Sequence, residues 1–346
     1  MPNSTSNEAA QPSPAATFPR LLGDIGGTHA RFAVETMPGA PLTEPRALRC
    51  REFEGPVEAI ESYLASTGLP RPRWAAFGIA TALGGDRIHM TNHSWSFSVE
   101  DMRARLDADR VLFVNDFTAL ALALPALGQS ELVRIGGGTA LHGSPIAVLG
   151  PGTGLGVSGL MPGPSGYLPI SGEGGHVTLA ASDDREAELI AAVRSEHPHV
   201  SAERVLSGPG LVALHKAICG IAGASHQHTE PPQVLEQGLS GACAHCQEAL
   251  DIFCAMLGTI TADLALTLGA RGGVYVGGGL VQRLGDYFGR SRFRARFETK
   301  GRFSSYLAAI PTYAIAAPWP GIVGAGRALD MEERALGTGI ASAARA

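Results

Sequence analysis

Beyond residue 20 the chain alternates short apolar runs with glycine-rich or charged segments. Residues 21–25 and 30–35 read as two strands joined by the turn GGTH, and ALRCREF (47–53) reads as a third. PVEAIESYLAST (56–67) places Pro56 at a helix start and spaces its apolar residues as a helix does. WAAFGIA (74–80) is a continuous apolar run, the mark of a buried strand. SVEDMRARL begins with Ser98 as N-cap and carries Asp101 three residues on, an acidic form of the capping box. VLFV (111–114) is a further strand, which runs directly into Asn115, Asp116 and an Ala/Leu-rich helix. The alternation predicts a mostly parallel sheet with helices packed on it.

A second unit starts near Pro145. IAVLGPGTGLGVSGL (146–160) repeats the opening plan of strand, Gly-Thr turn, strand, which suggests a duplicated α/β unit. A helix-rich region follows over 184–268. Its last part, AHCQEALDIFCAMLGTITADLALTLG, is apolar nearly all round and so predicts a buried central helix. GGVYVGGGL (272–280) is strand into Gly-turn into helix, and GIVGAGRALDMEERAL (321–336) is a last helix.

Composition narrows the classes. With 346 residues there is room for two domains with real cores, and 45% hydrophobic with 17% charged residues is ordinary for a globular chain. A formal net charge of −5 speaks against nucleic acid or an anionic membrane as partner. No uninterrupted apolar run reaches the length of a membrane span. The first residues lack a positive start followed by an apolar block, so a flexible tail is expected over 1–19 rather than a secretory signal, with a second tail over 338–346. Five scattered cysteines suit a reducing cytoplasm. CAHC (243–246) has metal-ligand spacing, but no second pair follows at zinc-ribbon distance, and packing is the expected role. HQH (226–228) lies in a Gly/Ser/Pro-rich stretch and is expected to be a solvated loop.

Three Gly-rich turns each follow an apolar strand: GDIGGT, GPGTG and VGGGL. Bare backbone N–H groups with small hydroxyls make phosphate cradles, although a hairpin turn alone would also explain the glycines. None of the three fits the P-loop or a dinucleotide-binding loop. Asp24 is an oxygen donor suited to a hydrated cation. Asn115 and Asp116 stand at the carboxyl end of a strand, where open α/β sheets place their working groups; Asp116 equally fits the N-cap of the helix that follows. SGEGGHVTL offers Glu173 and His176, and HVSAERVLSGPG offers Glu203. Carboxylates, an imidazole and an amide suit a polyhydroxylated ligand, whose hydroxyls both donate and accept. Glu203 also fits a first-turn helix acid after Ser201, and His176 a hydrogen-bonded loop histidine.

The segments LLGDIGGTHARFAV, TNHSWSFS, VNDFTALALALP, GPGTGLGVSGL, GEGGHVTLA, HVSAERVLSGPGLV and GGVYVGGGLVQRL, in this order and spacing, resemble the bacterial ATP-dependent glucokinase family over about 21–329. The resemblance implies an α/β, two-domain actin-like (ribonuclease-H-like) ATPase fold with a central cleft. It places a small α/β domain over 20–126 with 317–337 and a large one over 127–316. It implies transfer of the ATP γ-phosphoryl group to glucose O6, with Asp116 as general base. Asn92, Asn115, Glu173, His176 and Glu203 would bind the sugar. Asp24, Gly26, Gly27 and Thr28 would form a first phosphate loop, with Asp24 facing Mg²⁺ through water. Gly152, Thr153 and Gly154 would form a second, and Gly277, Gly278 and Gly279 would lie against the adenosine. It further implies a cytoplasmic homodimer. A related group of sugar kinases carries a zinc-binding Cys cluster soon after the Gly-His motif; HVTLAASDDREAEL holds no cysteine, which points to the zinc-free branch. A kinase for another hexose or N-acetylhexosamine remains an alternative, as does a non-catalytic sugar sensor.

Overall fold

The computed structural model describes residues 17–81, 83–91 and 93–337. The chain divides into two compact units, one formed by Met1–Ala126 with Trp319–Ala346 and the other by Leu127–Pro318.

In the first unit, β1 (Arg20–Ile25), β2 (His29–Glu35) and β3 (Thr43–Arg49) form an antiparallel meander. The sheet is completed by β4 (Trp74–Ile79) and, beyond a short hairpin of β5 (Arg87–His89) and β6 (Ser96–Ser98), by β7 (Arg110–Asn115). The strand order is β3-β2-β1-β4-β7, with β1, β4 and β7 parallel. Helix α1 (Pro56–Thr67) starts on its proline and ends at the left-handed Gly68. Ser98 caps α2 (Val99–Leu106) by accepting the Asp101 N–H at 3.0 Å. Helix α3 is Asp116–Ala123, and the C-terminal helix is Pro320–Gly337. One face of the sheet buries Phe32, Phe77 and Tyr63. The other packs Leu22, Trp74 and Ala76 against Ile322, Ala325 and Leu329 of the C-terminal helix.

The second unit opens with the edge strand β8 (Leu132–Gly136) and then repeats the meander with β9 (Ile146–Pro151), β10 (Leu155–Gly163) and β11 (Gly166–Ser171). Helices α4 (Asp184–Arg194), α5 (Ala202–Val205), α6 (Gly208–Ile221), α7 (Pro231–Leu239) and α8 (Ala244–Leu268) follow. After them come β12 (Val274–Val276), α9 (Gly279–Leu284), α10 (Asp286–Arg290), α11 (Phe293–Glu298), α12 (Ser304–Ala308) and β13 (Thr312–Ile315). The order is β11-β10-β9-β12-β13-β8. Meander followed by two parallel strands is therefore the plan of both sheets, which is the duplication the two Gly-Thr hairpins suggested.

Some expectations need correction. The sheets are mixed rather than mostly parallel, because each unit begins with two antiparallel pairings before its parallel ones. The third strand ends at Arg49, and Cys50–Glu52 is a 3-10 turn. Helix α8 is long and apolar enough to cross a membrane by length and composition, but most of it is buried in the protein core. Its three acidic residues interrupt the apolar run without spoiling the average. His226 and His228 are half-buried rather than solvated, with their rings beside His215. The expected tails, 1–16 of the first and 338–346 entire, lie outside the described residues.

Candidate active site

The first Gly-rich turn is the β1–β2 hairpin. Gly26 N–H closes it on His29 O at 3.0 Å, and Thr28 O is held by Cys50 N–H at 3.0 Å. Among the described residues, the N–H groups of Gly27 and Thr28 make no backbone hydrogen bond, so they can meet an anion. Asp24, the last polar residue of β1, pairs directly across the hairpin with Arg31, whose Nη1 donates to Asp24 Oδ2 at 3.2 Å. A quarter of the Asp24 side chain is exposed. Desolvation by its surroundings raises the carboxyl above the ordinary aspartate range, and Arg31 opposes that rise. At the start of the C-terminal helix, Gly321 admits this carboxylate: a Cβ there would stand 3.0 Å from Asp24 Cγ.

Asn115 and Asp116 divide the entry to α3 in a way the sequence left open. Asn115, not Asp116, is the N-cap: its Oδ1 accepts the N–H groups of Phe117 at 3.0 Å and Thr118 at 3.1 Å. Asp116 is the first helical residue, half-buried, and its Oδ1 accepts Phe117 N–H at 2.9 Å. A carboxylate in a helix's first turn is favoured by the helix dipole. Asp116 is fixed from below. Gly78 of β4 leaves room for Ala119 and for the Asp116 backbone, where a Cβ would stand 3.2 Å from Ala119 Cβ. Gly324 lets the C-terminal helix reach the Ala119 carbonyl, to which a Cβ would stand at 1.7 Å.

In the second unit, the β9–β10 turn closes through Gly152 N–H to Gly154 O at 2.8 Å, and Gly208 N–H donates to Gly152 O at 2.8 Å. Among the described residues, the N–H groups of Thr153 and Gly154 make no backbone hydrogen bond. The third Gly-rich turn rests on this one. Gly277 N–H donates to Leu149 O at 2.9 Å, and Gly278 holds φ +88° where a Cβ would stand 2.3 Å from Pro151 O. No larger residue fits that approach. Glycines 152 and 279 face open space.

Glu203 joins this loop to the rest of the candidate sugar set. Ser201 caps α5 through Arg204 N–H at 3.2 Å, which places Glu203 in its first turn. Glu203 Oε2 accepts Leu155 N–H at 2.8 Å, and Oε1 lies 3.9 Å from His176 Nε2. Gly154 is bare because Glu203 Oε2 occupies the space of its Cβ, at 2.3 Å. Glu173 precedes the 3-10 turn Gly174–His176, which is closed by His176 N–H to Glu173 O at 3.0 Å; both side chains are exposed. Gly175 presses on Leu155 O, to which a Cβ would stand at 2.1 Å, and so sets His176 beside Glu203. Asn92 lies outside the described residues.

Sequence reading missed Arg31, Gly321 and Gly324. Arg31 was within reach, since a turn over 26–29 pairs position 24 with 31; the two glycines act on Asp24 and Ala119, far away in sequence, and leave no local signal.

Comparison with known proteins identifies the family. The glucokinase family model matches residues 21–332. A glucokinase of Aromatoleum aromaticum is 58% identical over 91% of this chain and 95% of its own length. One of Chromobacterium violaceum is 50% identical over 89% and 88%. Among solved structures, a glucokinase from an Antarctic psychrotroph is 36% identical with a TM-score of 0.82, covering 90% of this chain and 99% of that one. Each unit follows the actin-like, ribonuclease-H-like α/β plan. The activity that goes with these matches is ATP-dependent phosphorylation of glucose, and the chain belongs to the glucokinase family.

Proposed function

We propose that the chain transfers the γ-phosphoryl group of ATP to O6 of glucose, with Asp116 accepting the hydroxyl proton. The observation that carries this reading is the division of labour at α3. Because Asn115 takes the cap, Asp116 holds a carboxylate at the carboxyl end of β7 on a first turn locked by two glycine contacts. The proton leaves as the new P–O bond forms, so a well-placed carboxylate serves as its acceptor. Asn115, its Oδ1 committed to the backbone, would donate to the sugar from its amide nitrogen. Glu173, His176, Glu203 and Asn92 would take the remaining hydroxyls. Glu203 is suited to this because Leu155 N–H orients one oxygen and leaves the other facing His176.

The N–H groups of Gly27, Thr28, Thr153 and Gly154 would receive phosphate oxygens, and Gly277, Gly278 and Gly279 the nucleoside. The residues fit a hydrated Mg²⁺: Asp24 offers a hard oxygen donor beside the first phosphate turn, and Gly321 leaves it room. When bound, Mg²⁺ would neutralise charge developing on the phosphate oxygens. Family membership further supports a homodimer, and five free cysteines suit a reducing cytoplasm.

The test is ADP release with ATP and Mg²⁺, comparing glucose, mannose, fructose and N-acetylglucosamine against a no-sugar control. Strong turnover with glucose alone is expected. Preference for another sugar would overturn the substrate, and sugar binding without turnover would overturn the catalytic role of Asp116.

A further inference from the structure

The second unit gathers histidines and cysteines that phosphoryl transfer does not use. Helix α6 carries His215 and Cys219 one turn apart, and α8 begins with Cys243 as N-cap and Cys246 three residues on. One ligand atom from each of His215, Cys243 and Cys246 lies within 4.8 Å of the other two. His215 is 1% exposed, with Nε2 3.4 Å from Cys219 Sγ and the His228 backbone against its ring. The loop before α7 adds the rings of His226 and His228, centred 5.3 and 5.7 Å from that of His215.

Packing explains this poorly. As an N-cap, Cys243 gives only a weak thiol acceptor to Cys246 N–H at 3.4 Å, where Ser or Asp would serve better. We propose that His215, Cys243 and Cys246 bind one borderline-soft divalent cation of the zinc class, which fastens α6 to the first turn of α8. Two thiolates and an imidazole select zinc over Mg²⁺ or Ca²⁺, which require oxygen donors. A tetrahedral zinc shell sets its donors about 3.5–3.8 Å apart, so small side-chain rotations close the site. Binding releases the two thiol protons to solvent, and water completes the shell. The site shares no residue with the phosphoryl-transfer machinery, and it stands or falls apart from it.

The full chain, kept reduced without air, would be titrated with Co²⁺ in excess Mg²⁺. One equivalent should give visible d–d bands and near-ultraviolet thiolate-to-cobalt charge transfer, both bleached by Zn²⁺. Cys243→Ser, at a half-buried position that tolerates the change, should lose most of the charge-transfer intensity while keeping native circular dichroism. His215→Ala should shift the d–d bands. Cys50→Ser, remote in sequence and in the other unit, should match the parent. Equimolar Zn²⁺ should raise Tm in the parent and not in Cys243→Ser. Absence of cobalt bands in the reduced parent would overturn the site, as would an unchanged spectrum in Cys243→Ser. A chain that returns to a Cys243–Cys246 disulfide and binds no cobalt when reduced would make the pair a redox couple instead.

Discussion

At the first turn of α3, two adjacent side chains differ in role: Asn115 caps the helix, and Asp116 is its first residue and the proposed base. Asp116→Asn keeps the shape and removes the proposed base. It should lower kcat by a factor of about 10²–10⁴ with little change in Tm, as steady-state ADP release and thermal melts would show. Asp24 gives a pH signature. Its pKa is raised by desolvation, so it gains a proton at higher pH than a free aspartate. Below that raised value it is neutral and attracts no cation. The Mg²⁺ concentration for half-maximal rate should therefore climb as pH falls through it, and Asp24→Asn should show a high requirement that is flat with pH. The stability effect has the opposite sense: the group's contribution is full below the ordinary aspartate value and is lost as pH rises through the raised one. Both residues stand out in the sequence because chemistry-bearing types end apolar runs. Which of Asn115 and Asp116 takes the cap was not legible, since both residue types favour that position and only backbone geometry decides.

Elements were legible where period and punctuation agreed. Pro56 and Ser98 mark helix starts that the structure keeps. The third strand was misplaced because ALRCREF alternates well enough, yet the pairing with β2 runs from Thr43 to Arg49 and ends where Cys50 N–H bonds to Thr28 O. Helix-to-helix contacts were not legible at all. Gly324 looks like one more small residue, but it is where the C-terminal helix meets the Ala119 carbonyl. Gly324→Ala should cost about 1–3 kcal/mol by overpacking and should lower kcat as well, because the strained partner is the helix that carries Asp116. Denaturant melts and kinetics on the folded fraction separate the two effects. Arg20 fixes the same helix from its other end. It is 1% exposed, with Nη1 2.6 Å from Asp330 and Nη2 2.6 Å from Glu333. Arg20→Met should destabilise by about 3 kcal/mol, leaving kcat of the folded enzyme near that of the parent.

At the scale of the whole molecule, the repeated hairpin was the most informative pattern. It announced two α/β units from two short motifs, and both sheets share the meander-then-parallel plan. The mixed strand directions were hidden, because an apolar run does not state which neighbour it will pair with. Glu203 illustrates the same limit for the candidate site. Its residue type was suggestive, but its hold on Leu155 spans 48 positions and follows from the fold alone.

The C-terminal helix covers Leu22, Trp74 and Ala76 with Ile322, Ala325 and Leu329, and it also braces α3. During synthesis, therefore, the first unit emerges unfinished. Its opening strands leave the ribosome and must wait while the whole second unit is translated, on the order of ten to forty seconds at about 5–20 residues per second. Throughout that interval an apolar sheet face has nothing to cover it. Nascent chains stalled before Trp319 should bind holding chaperones and be cut readily by protease within residues 20–126, while full-length chains resist. A premature stop before Ile322 would then yield an aggregation-prone product rather than a slightly shortened enzyme, and the cell would clear it by proteolysis.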